Sequence, residues 1–194
     1  MQDFTLWFTT GMEHIADLQG YDHILFILTL CGIYPYKEWK SLLILVTAFT
    51  LGHSLTLALS VLNIVRVPAE WIEFLIPVTI VSTCVYNLAT LNKPLTGGSR
   101  VRYVMAVLFG CIHGMGFSNY LRSLLGSESS ILGPLLGFNL GLEAGQLLIL
   151  AAIFVLHFLF SRFSRVSEYQ WKFFISSAVF GVAFIMALER LPAL

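Results

Sequence analysis

Four histidines, His14, His23, His53 and His113, sit inside or at the mouth of segments that otherwise read as bilayer-spanning. Asp22, Glu73 and Glu143 share the same apolar surroundings. A carboxylate or imidazole in hydrocarbon is costly unless it faces a partner, an ion or water, so each is a functional candidate by position alone. Imidazole together with carboxylate is a donor set for a divalent metal ion, and nickel, cobalt, zinc and iron all accept it. Asp22-His23 offers two ligands, or one ligand and its orienting carboxylate. Glu143 has no basic residue in its own segment, so it is either protonated or faces a histidine or a metal. For His53 and His113 the alternative is a buried ring satisfied by neighbouring hydroxyls. For His14 and Glu73 it is an interfacial side chain. Asn87 and Asn139 read as hydrogen-bonding groups between helices, and Glu189-Arg190 as an ion pair at the membrane edge. His157 stands alone at the far end of its segment and reads as structural.

The elements that must position these residues are helices in a membrane. The chain has 194 residues, of which 57% are hydrophobic and 11% charged. Its mean hydropathy is +0.82. Soluble domains carry roughly 25% charged residues. Long apolar runs alternate with short polar joints, the pattern of a polytopic all-α membrane bundle in a single domain. The net charge is zero, so no field draws in nucleic acid. Lipid is the expected surrounding, and a homo-oligomer stays open.

Six spans are expected, at about 12–35, 39–63, 69–91, 102–122, 132–160 and 171–191, after a short interfacial segment at 1–11. The opening MQDFTLWFTTG lacks a basic n-region and a small-residue cleavage site, so no cleavable signal is expected. Its Phe4, Leu6, Trp7 and Phe8 suit an interfacial anchor. The stretch from His23 to Tyr34 covers only ~18 Å as a helix. The first span must therefore start near Met12 and carry His14, Asp22 and His23 inward. Gly20 marks a kink or an unwound piece, with a re-entrant turn as the alternative. Residues Lys93 to Arg100 form a loop, and Pro77 a kink inside the third span.

Basic residues set the orientation. Lys37, Lys40, Lys93, Arg100, Arg102, Arg162, Arg165 and Lys172 lie at one end of the spans, and Arg66, Arg122 and Arg190 at the other. Eight against three puts both termini outside. Counting helical rise from the outer ends then places Asp22, His23, His53, His113 and Glu143 ~13–16 Å deep. Gly137, Gly141 and Gly145 form a small-residue stripe on the fifth span, on a different face from Asn139, Glu143 and Gln146. That span is expected to touch one neighbour closely and line a polar space with its other side. Cys31, Cys84 and Cys111 form no CxxC pair and read as small buried side chains.

The runs GMEHIADLQGYDHILFILTL, VTAFTLGHSLTLALS, FGCIHGMGFSNYL and FNLGLEAGQL resemble, in order, the motif blocks of the HupE/UreJ membrane proteins. The resemblance covers most of residues 11–150. It implies a hydrogenase- or urease-associated accessory protein of the bacterial inner membrane that passes nickel or cobalt. It assigns metal handling to His14, Asp22, His23, His53, His113 and Glu143. The family's first motif commonly places five residues between its first histidine and Asp-His, whereas seven separate them here. His14 therefore leaves the shared helix face unless the helix is broken.

Three functions remain in play. The first is a divalent-metal permease. The second is an intramembrane hydrolase using a metal-activated water, with Glu143 or Asp22 as base, although no HExxH is present. The third is a non-catalytic metallo-accessory subunit. A tight three-ligand site beside a lipid-accessible groove favours hydrolysis, and a solvated vestibule favours transport.

Overall fold

Two glycine-lined helix pairs form the frame. α1 (Gln2–Ile15) lies along α7 (Leu132–Ser164), and α3 (Trp39–Val61) along α5 (Arg100–Gly116). Gly137 faces Phe4 and Trp7, Gly141 faces Phe8, and Gly145 faces Met12 and Ile15, so α1 and α7 run parallel. Gly110 faces Phe49, and Gly114 faces His53 and Thr56, so α3 and α5 are parallel too. A Cβ at Gly141 would meet the Phe8 carbonyl, and one at Gly110 the Phe49 carbonyl. Only a residue without a side chain lets backbones approach that closely.

The computed structural model describes residues 2–93, 99–125, 131–164 and 166–191. Among the described residues the chain is helical with no strand. Four helices are long and apolar enough to cross a bilayer: α3, α4 (Ala69–Ala89), α7 and α8 (Glu168–Glu189). α5 and the following α6 (Ser118–Leu125) make a fifth crossing if the pair is one span bent by 49°. These helices make a multi-pass membrane protein, and the expected count of six is approximate. The end of the bundle holding Gln2 and Leu132 is termed the top.

The expected first span is two helices rather than one. α1 ends at Ile15, α2 begins at Asp22 (Asp22–Cys31), and the six residues Ala16–Tyr21 are unwound between them. Asp17 explains the stop, since its Oδ1 accepts the backbone N–H of Gln19 at 2.8 Å and competes with helix continuation. Descent nonetheless continues: Phe4 lies beside Gly137, Ile15 beside Gly145, and Gly32 beside Ile153. Where the sequence suggested an interfacial anchor, α1 is a packed element, with Trp7 only 4% exposed against Gly137. The fourth expected span is likewise interrupted at Phe117, whose ring turns in against His14 and Phe138.

The remaining elements follow local signals. Pro68 caps α4, which continues through Pro77. A capping box between Ser167 and Gln170 starts α8. The expected loop at Lys93 to Arg100 lies mostly outside the described residues, as does Arg165.

Candidate metal centre

α1, α2, α3 and α5 each deliver one histidine to a common point. His14 stands in the last turn of α1, His23 in the first turn of α2, His53 midway along α3 and His113 in the last turn of α5. Ring centroids are 4.7 Å apart for His14 and His23, 5.0 Å for His23 and His113, 5.9 Å for His14 and His53, and 6.2 Å for His23 and His53. His14, His23 and His53 can each present one ring nitrogen such that all three lie within 4.8 Å of one another. The break at Ala16–Tyr21 lets His14 join despite its seven-residue separation from Asp22.

These rings are short of partners. Nε2 of His14, Nε2 of His23, both nitrogens of His53 and Nδ1 of His113 are buried with no hydrogen bond. Buried polar atoms are nearly always satisfied, so this many orphans in one place calls for something to bind. Among the described residues, His113 alone of the four has a side-chain hydrogen-bond partner, Thr79 Oγ1 at 3.0 Å from its Nε2. Nitrogens on a single ion with ~2.1 Å bonds lie about 3.0–3.4 Å apart. The rings fit an ion after a closure of roughly an ångström.

Access comes from the top. A cleft of about 320 Å³ ends on His14, His23 and His113, with Asp17, Asp22, Glu73 and Arg190 along its walls. A second opening beside it reaches His14 past Glu13 and Asp17. Phe117 separates the two, its ring centroid 3.9 Å from that of His14. Carboxylates outnumber the single Arg190 around these openings, which suits a cation.

Asp22 lines the cleft but is held by Arg190, whose Nη1 donates to Oδ2 at 2.8 Å. Arg190 thus serves Asp22, where the sequence suggested a pair with Glu189. Glu143 is placed elsewhere: its Oε1 accepts from Thr47 Oγ1 at 2.8 Å. Its neighbours on the same face act alike. Asn139 accepts from Ser54 at 2.6 Å and Gln146 from Thr50 at 2.7 Å. The polar stripe of α7 is therefore a hydrogen-bonded seam with α3, while its glycine stripe packs on α1. His157 stacks on Trp171 at 4.7 Å, far from the cluster in the fold.

Below the histidines aromatic rings fill the bundle. Phe26 and Phe49 are essentially fully buried, and their ring centroids lie 5.1 and 5.3 Å from that of His113. Lower still, Arg102 is buried, donates to Asn87 Oδ1 at 2.7 Å, and lies over the rings of Tyr34 and Tyr86. Asn87 in turn donates to the Thr29 carbonyl at 2.8 Å. By sequence Arg102 counts as a loop cation. Its one legible signal is Asn87, an amide that needs a partner between helices.

No curated protein and no solved structure matches the chain significantly. A family model described as HupE / UreJ protein matches residues 1–190. That match runs through α1, the broken first descent and all four cluster histidines, and the chain belongs to the HupE/UreJ family.

Proposed function

We propose that this protein captures a divalent transition-metal ion, nickel or cobalt in type, in the upper half of the membrane and acts as its permease. The observation that carries the reading is the set of unpartnered ring nitrogens on His14, His23 and His53 at the foot of an open cleft. In this reading those three histidines are ligands and His113 is the adjoining station. Asp22 fixes the start of α2 through Arg190, and Glu143 braces α7 on α3. In this reading the cleft opens on the outer side of a bacterial inner membrane, which the excess of basic residues at the opposite end of the spans supports. The ion is the cargo, and the arrangement is the one that faces outward. Family membership is consistent with a membrane protein that handles nickel or cobalt.

Elemental analysis of the purified protein and metal uptake into proteoliposomes test this together. Wild type is expected to carry a stoichiometric ion and to pass it, and His23→Ala to do neither. Uptake that is unchanged in His23→Ala removes the permease reading.

One observation favours a second reading. Phe26 and Phe49 pack directly beneath the histidines and Arg102 sets a buried positive charge lower still, an arrangement that opposes passage of a metal ion. A metal-dependent intramembrane hydrolase needs no path through. Three histidines would hold the metal, which when bound supplies an activated water. A protein that binds metal stoichiometrically but passes none points to this reading.

A further inference from the structure

A second polar hollow adjoins the histidine cleft. It measures about 290 Å³, and Arg66, Arg122, Asn63, Asn119 and Glu73 stand in its wall. Glu73 and Gly116 line both hollows, so the two meet. Each has the volume of a small-molecule site. Their charges are opposite. The cleft sets Asp17, Asp22 and Glu73 against Arg190, and its neighbour sets Arg66 and Arg122 against the shared Glu73.

Arg122 is built into this wall. Its Nη1 donates to Asn63 Oδ1 at 2.6 Å and its Nη2 to Asn119 Oδ1 at 3.1 Å. Asn63 holds its place with φ at 60°, a left-handed conformation few non-glycine residues adopt. Both terminal nitrogens are engaged, yet Nε is buried without an acceptor. Arg66 is exposed and forms no salt bridge among the described residues. Two guanidinium groups, one with an unmet donor, select a carboxylate or phosphate oxygen. The acid-lined half selects a cation. A ligand that satisfies both is itself dipolar.

We propose that this hollow receives the carboxylate of a small anionic chelator, so that the metal ion arrives as a complex. The ion faces Glu73 and the histidines while the chelator rests on Arg66 and Arg122. This deepens the metal-capture reading and rests on it.

Binding of Ni²⁺ alone, and of Ni²⁺ with equimolar citrate, to the full chain in phosphatidylcholine nanodiscs tests the proposal. With Ni²⁺ alone, wild type, Arg66→Gln and Arg122→Gln are expected to bind equally. With citrate present, both variants are expected to lose about tenfold in apparent affinity relative to wild type, the worth of one charge-assisted hydrogen bond. Arg122→Lys restores charge without the fork and should recover part of it. Arg66 has no ion pair to lose among the described residues, so its variant keeps the test alive if Arg122→Gln misfolds. Citrate that strips metal equally from wild type and Arg66→Gln overturns the proposal. So does a wild-type advantage that needs phosphatidylglycerol in the disc and no citrate, which would assign the arginines to a lipid headgroup. Failure to bind Ni²⁺ alone sinks the metal site itself, a separate result.

Discussion

Arg190 reaches from the end of α8 to Asp22 at the start of α2, with Nη1 2.8 Å from Oδ2 and Nη2 3.4 Å from Oδ1. The pair ties the last helix to the residue just before His23. In the proposed reading it positions a ligand, His23, without being one. Asp22→Asn is expected to weaken metal binding about 10- to 100-fold, the usual cost of losing an orienting partner, while the helix content by circular dichroism stays the same. Arg190→Gln should move affinity in the same direction. Unchanged affinity in both would detach the pair from the site.

His14→Ala, His23→Ala and His53→Ala should each abolish stoichiometric metal, read by elemental analysis after dialysis. His157→Ala should leave it untouched, because that ring stacks on Trp171 outside the cluster. Equal loss in all four would indicate unfolding rather than ligand removal.

Acidification should release the metal. Each ring nitrogen accepts either the ion or a proton, so lowering pH favours the empty, protonated form and raising it favours binding. The checking measurement is metal retained in detergent across a pH series. A flat profile would argue against imidazole ligation.

How far this site could be read from residues alone differs by residue. Helical rise put His23, His53 and His113 at one depth, because rise per residue is fixed by backbone hydrogen bonding. His14 was harder. Its separation from Asp22 is out of phase with an unbroken helix, and only the side-chain capture at Asp17 ends the helix in time. The polar face of Glu143 was visible, but a helical face does not say which neighbour it meets, and it meets Thr47. The fate of Phe4, Trp7 and Phe8 was open for the same reason. Gly137, Gly141 and Gly145 demanded a close neighbour without naming α1. Charge counting treats every cation near a helix end as solvated, which hid the burial of Arg102.

Gly141→Val should separate α1 from α7. The added side chain meets the Phe8 backbone, and such overpacking costs about 1–3 kcal/mol. The expected result is a lower Tm in detergent together with lost metal, since α1 carries His14. Full metal content at wild-type Tm would contradict the packing.

The buried Arg102 makes a further prediction. Asn87→Ala leaves the guanidinium without its 2.7 Å acceptor and should cost about 3 kcal/mol or more in thermal unfolding. Arg102→Met paired with Asn87→Leu removes donor and acceptor together and should cost less. A double variant as unstable as Asn87→Ala would mean that the tyrosine rings, rather than the amide, hold Arg102.

The pairing of α1 with α7 bears on how the molecule is made. α1 spans only ~21 Å, too little to cross ~30 Å of hydrocarbon unaided. Its glycine-striped companion leaves the ribosome more than half the chain later. Until then the first helix has no seat, and His14 cannot take up its post. The proposed ion-binding pocket is thus completed late in biogenesis, and a chain truncated ahead of α7 is expected to insert its middle helices yet never bind the ion.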